Sequence, residues 1–159
     1  MRLPSTLPEV PPELLTGNPE IDNEHRLLLR AIEGLRNICD RFEDAADCQG
    51  CAYVSARGCD NFLVETLGDL LMFLVDHFRN EEDLMRVGRV SIVDRELCER
   101  HKEDHAAISH AVQEIIGALA PQRTVDHIRR LHSLLENWVG NHIRLHDMVL
   151  VGMLAPGSR

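Results

Sequence analysis

Apolar and histidine positions recur at alternating steps of four and three along four stretches of the chain. The first runs Ile21, His25, Leu28, Ile32, Leu35, Cys39, Phe42, and the second Leu63, Leu67, Leu70, Leu74, His77, Glu81, Leu84. The third runs Cys98, His101, His105, Ile108, Val112, Ile115, Leu119, and the fourth Ile128, Leu131, Leu135, Trp138, His142, Leu145, Val149. Such steps keep one face of a helix on a common seam, and no alternating strand pattern of comparable length competes. The pattern predicts an all-α protein. Pro19 precedes the first helix, Asp60 is the expected cap of the second, Asp94 (or Ser91) that of the third, and Thr124 that of the fourth. The later connections are short, which favours antiparallel neighbours in an up-down-up-down four-helix bundle. The bundle is expected over residues 19–151, with an extended N-terminal arm (1–18), a tail (152–159), and a Cys-rich loop at about 46–59 between helices 1 and 2.

The polar members of the stripes are not scattered. His25 falls near the start of the first helix, His77 and Glu81 near the end of the second, His101 and His105 in the first half of the third, and His142 near the end of the fourth. In an up-down-up-down bundle these positions share one end. His77/Glu81 and His101/His105 are i,i+4 pairs, with β-carbons ~5–6 Å apart on one face, a separation that suits two ligands of one ion or of a pair. On the fourth helix His142/His146 is the natural i,i+4 pair, whereas Asp147 at i+5 falls well around an ideal turn of ~3.6 residues. A carboxylate reaching across, or a local π-type widening, would bring Asp147 in.

A single histidine on an apolar stripe is more often a hydrogen-bonded core residue than a ligand. Five on four stripes, at one end and accompanied by two carboxylates, reverse that expectation, because burying so many unpartnered polar groups is costly. Imidazole suits first-row divalent metals rather than Mg or Ca. Seven donors exceed what one tetrahedral zinc needs, and two bridging carboxylates are what hold two ions together. The nucleotide-binding and hydrolase signatures HExxH, P-loop, GxSxG and GxGxxG are all missing from the sequence.

Composition narrows the remaining classes. The formal net charge is -9 with no run of Lys or Arg, which disfavours nucleic acid or anionic lipid as a partner. No segment approaches the ~20 apolar residues of a membrane span. The N-terminus carries five prolines and no continuous apolar stretch, so it does not read as a secretory signal, and the chain is expected in the cytoplasm. Five cysteines would there be mostly reduced. Outer faces rich in Glu, Asp and Arg are compatible with a monomer.

GNPEIDNEH ending at His25, HFRNEEDLM from His77, HKEDH from His101 and WVGNHIRLHD from Trp138 to Asp147 together resemble the hemerythrin-domain family, of the bacteriohemerythrin type, over roughly Gly17 to Leu150. The resemblance favours Asp147 over His146. It implies two iron ions joined by an oxo or hydroxo group. One ion takes His101, His105 and His142, the other His25 and His77, and Glu81 and Asp147 bridge them. The ion with two histidines keeps an open position where O2 binds reversibly, for sensing, storage or delivery, and the protein is then not an enzyme. Leu28, Phe78, Trp138, Val139 and Ile143 are the expected apolar walls of the O2 pocket. The runner-up readings are a di-iron enzyme handling peroxide or nitric oxide at the same centre, and a structural metal-binding bundle. A sensor role requires a separate signalling protein as partner. His110, His127 and His132 read as surface residues or as outer neighbours of the centre.

The sequence departs from the family in its long first connection, where Cys39, Cys48, Cys51 and Cys59 accumulate. Three readings stay open there: a structural zinc, redox or disulfide chemistry, or unlinked thiols. Cys39 also falls on a core stripe, where a thiol is a small apolar filler. Cys98, on the third stripe, reads as core.

Overall fold

The computed structural model describes residues 9–39, 41–49, 51, 58–87 and 92–155. Its principal helices are α1 (Pro19–Arg36), α2 (Cys59–Val87), α3 (Ile92–Gly117) and α4 (Thr124–His142). A wider turn at Ile143–Asp147 leads from α4 into α5 (Met148–Leu154), so helix persists into the stretch expected as tail. No strand occurs among the described residues, and none of their helices is long and apolar enough to cross a membrane.

The stripes become the core. Leu28, Ile32 and Leu35 of α1 meet Leu63, Leu67, Leu70, Leu74 and Phe78 of α2, Ile108, Val112 and Ile115 of α3, and Ile128, Leu131, Leu135 and Val139 of α4 in one apolar cluster. Burying each such side chain contributes about 1.5–3 kcal/mol, and this packing rather than intrinsic propensity holds the helices. A smaller cluster of Met85, Cys98 and Leu150, with Met153 and Leu154 against it, forms one turn beyond Glu81, His101 and Asp147. Between the two clusters lies the polar end of the seam.

Several expected boundaries shift. Asn18 rather than Pro19 marks the start of α1: its side-chain Oδ1 accepts the N–H groups of Glu20 (3.0 Å) and Ile21 (3.3 Å), and Pro19 takes the first helical position, where its missing N–H costs nothing. Gly17 adopts φ +83°, open to glycine without strain, and lets the incoming chain turn onto the buried Asp22, whose carboxylate accepts from Thr16 and Gly17. The arm before it is not wholly extended. A 3-10 turn at Pro12–Leu14 sends Val10 and Leu14 into the main core.

α1 ends at Arg36, so Cys39 and Phe42 are not on its stripe; they pack against the core from the connection that follows. α2 begins at Cys59 and α3 at Ile92, which puts Asp60 and Asp94 inside first turns rather than at caps, while Ser91 lies outside the described residues. Thr124 is likewise already helical, at φ -53° and ψ -45°, because a 3-10 turn at Pro121–Arg123 starts the coil one step earlier. Leu119 falls just past the end of α3 at Gly117.

Candidate metal centre

Glu24, from the start of α1, contacts His77 and Asn80 near the end of α2; Glu81 contacts His105 of α3; Asp104 of α3 contacts His142 at the end of α4; and Asp147 reaches back to His25. The start of α1, end of α2, first half of α3 and end of α4 therefore share one end of the molecule. The six residues singled out by spacing and Asp147, favoured by the resemblance, are all buried there, none more than 3 % exposed. They form two sets, Glu81/His101/His105/His142 and His25/His77/Glu81/Asp147, and within each set one donor atom per residue lies within 4.8 Å of every other.

The two carboxylates divide their oxygens between the histidines. Glu81 Oε2 lies 3.1 Å from His105 Nε2, 3.3 Å from His101 Nε2 and 3.6 Å from His142 Nε2, while its Oε1 faces His77 Nε2 at 3.7 Å. Asp147 Oδ1 lies 3.0 Å from His142 Nε2 and 3.2 Å from His101 Nε2, while its Oδ2 is 2.9 Å from His25 Nε2. Three imidazoles thus gather on one side and two on the other.

Asp147 arrives by a local change of helix. The Met148 N–H bonds to the Ile143 carbonyl, five residues back, so Ile143–Asp147 is a π turn. The widening absorbs one residue, which rotates Asp147 onto the seam and Leu145 off it. Leu145, expected on the core stripe, is 65 % exposed for this reason. His146 lies beside the cluster, its ring stacked on that of His101 at 4.9 Å.

Aromatic rings wall the site. Phe78 stacks on His105 with ring centres 3.8 Å apart, Trp138 on His142 at 4.4 Å, and Phe73 on His77 at 6.0 Å. Leu28, Val139 and Ile143 are buried in the main core, in the turns adjoining His25 and His142. Three outward ring nitrogens have carboxylate partners, His77 Nδ1 with Glu24 at 2.7 Å, His105 Nδ1 with Glu82 at 3.2 Å and His142 Nδ1 with Asp104 at 2.7 Å, whereas His25 Nδ1 is buried without one. A carboxylate accepting from Nδ1–H leaves the Nε2 lone pair aimed inward, the tautomer that binds a metal.

Inside the cluster, donors are short of partners. His77 Nε2 and Glu81 Oε1 are fully buried and unpaired, and His101 Nε2 faces His142 Nε2 at 3.3 Å. Unpaired buried polar atoms cost roughly 1–3 kcal/mol each, and lone pairs converging from all sides are what a cation relieves. The donor set therefore fits a metal. Residues 16–154 match the family model described as "Hemerythrin HHE cation binding domain". The chain belongs to the hemerythrin HHE family. Neither curated proteins nor solved structures gave a match.

Electrostatics of the hemerythrin site agree with a cation-binding role. Burial opposes charge on Glu81 and Asp147, yet hydrogen bonds from His101, His105 and His142 to Glu81, and from His101, His142 and His25 to Asp147, hold both carboxyls well below their usual range. Burial likewise pushes His142 down, but its bonds to Asp104, Asp147 and Glu81 win and raise it to about 11; His77 and His101 are raised by the same balance. Without a cation, protons take its place. A raised imidazole contributes stability below its unfolded value of 6.5 and loses it as pH climbs toward about 11. The metal-free chain should therefore become less stable above about pH 6.5, whereas metal binding, which displaces those protons, should strengthen. The gap between metal-loaded and metal-free Tm is expected to widen from about pH 6.5 to about pH 9, and thermal melts at several pH values check it.

Asp104 gives a second expected result. One of its oxygens accepts from both His142 Nδ1 and Trp138 Nε1, each at 2.7 Å, fixing ring and wall together. Asp104→Ala should lower metal affinity by about 10–100-fold while leaving the helical content intact. Competition against a chelator and circular dichroism would measure the two effects.

Glu24, Glu82, Asp104 and Phe73 were not singled out by stripe spacing. The three carboxylates sit off the seam but beside it in sequence, within the motifs that carry the histidines; Phe73 is four residues before His77. Of the outlying histidines, His110 is exposed, as expected. His127 and His132 are instead buried, at 1 % and 7 % exposure. They lie on α4 roughly 22 Å and 15 Å along the helix from His142, too far to support the centre. His132 meets the ring of Phe42 edge-on at 5.6 Å, and burial lowers His127, which favours its neutral form.

Proposed function

We propose that this hemerythrin domain holds two iron ions and takes up O2 reversibly, without acting as an enzyme. His101, His105 and His142 would hold one ion and His25 and His77 the other, with Glu81 and Asp147 bridging. What supports this most directly is the split of each carboxylate: one oxygen faces members of the His101, His105 and His142 group, and the other faces His77 (from Glu81) or His25 (from Asp147). The smaller histidine set leaves an ion with room for a further ligand, as open metal sites require. An iron pair held there would supply the two electrons that reversible O2 uptake needs. Phe78, Trp138 and the main core keep water from the site, while Glu24, Glu82 and Asp104 hold protons at Nδ1 and aim the rings.

A histidine-rich donor set suits binding better than oxidation, for which bundle di-iron sites use more carboxylates in E-x-x-H pairs. In this reading the protein works in the cytoplasm as a store, carrier or sensor, and sensing requires a separate partner protein. The test is anaerobic loading with Fe(II), metal counting, and visible spectra through cycles of O2 addition and removal. About two irons per chain with a reversible visible band is the expected result. One metal per chain, or zinc alone under controlled supply, would overturn it. Consumption of O2 or peroxide through many turnovers would move the assignment to an enzyme.

A further inference from the structure

Seven polar side chains make up the two donor sets, and an eighth lies against them. His146 sits inside the widened turn Ile143–Asp147, directly before the Asp147 carboxylate. Its ring stacks on that of His101, with centres 4.9 Å apart and planes 26° from parallel, and leans on His142 at 5.4 Å and 35°. Yet His146 joins neither set of converging donors. It is half-buried, whereas the seven are closed off from solvent. One side of this imidazole therefore meets water, and the other meets two members of the three-histidine group.

An ion bound for the centre needs polar partners along its way. A dication that crosses apolar packing loses its hydration without replacement, which is prohibitive. Two such layers enclose the centre. The main core closes it on the inner side. On the outer side Ile21, Met85, Cys98 and Leu150, one each from α1, α2, α3 and α5, are buried one turn beyond His25, Glu81, His101 and Asp147. Glu24, Glu82 and Asp104 are partly exposed, but they engage the outward Nδ1 atoms of His77, His105 and His142. A cation held at one of these carboxylates meets the protonated edge of a ring and not its Nε2 lone pair. His146 has no such obstacle. It flanks the face of His101, and imidazole is the commonest protein ligand of metal ions and suits first-row dications.

We propose that His146 is an entry ligand for the centre, which takes an incoming iron-class dication from solvent and passes it to His101 and His142. The proposal rests on the reading of the buried cluster as a metal centre. The transfer exchanges one nitrogen–metal bond for others and changes no oxidation state: His146 releases the ion as His101 and His142 engage it, and any proton on those rings leaves to solvent. Because His146 holds the ion only in transit, it governs the rates of loading and unloading and not the final affinity.

His146→Phe separates the two properties of the ring, since a phenyl group keeps the stack on His101 and offers no lone pair. Metal-free native and variant full chains are mixed with cobalt(II) in a stopped flow, and growth of the visible ligand-field absorption gives the loading rate. The variant should load slower by about tenfold or more. It should also give cobalt up to a chelator more slowly by the same factor, with final metal count, affinity and Tm unchanged. His146→Ala, which loses stack and donor together, should load as slowly as His146→Phe. Loading of His146→Phe at the native rate would overturn the proposal. So would a fall in its final metal count, which would make His146 a resident ligand or a support for one. A native chain that binds no cobalt would overturn the metal centre and the entry role with it, whereas equal amounts bound at equal rates by native chain and variant would overturn the entry role alone.

Discussion

Glu81→Ala is expected to empty the histidine–carboxylate centre of both ions, not one. Glu81 belongs to both donor sets, and its two oxygens face opposite groups of imidazoles. Without it, His77 Nε2 loses the carboxylate oxygen it faces, and the inward Nε2 atoms of the three-histidine side keep only Asp147 as an anionic neighbour. Metal content should drop from about two ions per chain to well under one after dialysis. The metal-free protein should suffer as well, since removing one member of a fully buried charged group costs about 3–5 kcal/mol. Glu81→Gln separates the effects: it keeps the volume, loses the charge, and should lose the metals with less disturbance of packing. Glu82→Ala is the contrast, because this half-buried carboxylate touches only the outward nitrogen of His105; it should retain both ions with affinity lowered at most about 10–100-fold. Metal counting and Tm on the three variants decide the matter. One ion held firmly by Glu81→Ala would show that this carboxylate serves one metal only.

Legibility in the sequence followed the physics of each level. Spacing of four and three is set by helix geometry, so Leu28, Leu70, Val112 and Leu135 could be placed in the core before any coordinates, and six of the seven clustered polar residues with them. Where the chain departs from a regular helix, the period misplaces residues. Leu145 was assigned inward because the fourth stripe was continued at the α-helical phase through a π turn. Cys39 and Phe42 were counted on α1 because they keep its period, although the helix has ended and the same apolar contacts are made from a loop. His127 and His132 lay between stripe positions and were left outside the core, yet a side chain flanking the seam is covered when a neighbouring segment packs over it. Glu24, Glu82 and Asp104 illustrate another limit. Their spacing marks them as exposed-face residues, and only the three-dimensional meeting of helices turns them toward imidazole nitrogens. The loop cysteines are visible as a composition anomaly, but the ties of Cys48 to Gln122 and Val125 at the start of α4 are contacts that no periodicity encodes.

Deleting Leu145 should preserve the metal centre, whereas deleting a residue earlier in α4 should abolish it. A π turn is an α-helix holding one residue too many. Removing a residue within Ile143–Asp147 restores a regular i→i+4 ladder and places the residue now called Asp147 four positions after His142, on the same face. Leu145 is the natural choice because it is 65 % exposed and gives up little packing. Asp147 and Leu150 should then keep their phase, and the change in stability should stay within about 1 kcal/mol. Deletion of Asn137, also exposed but inside regular α4, has no surplus to consume. It rotates everything that follows by ~100°, taking His142 and Asp147 off the seam and Trp138 away from Asp104. That variant should bind well under one ion per chain and melt at a markedly lower temperature. Metal counting and thermal melts on the two deletions make the comparison direct. Loss of metal from both would mean that the widened turn contributes its shape, by setting the reach of the Asp147 carboxylate, and not only its phase.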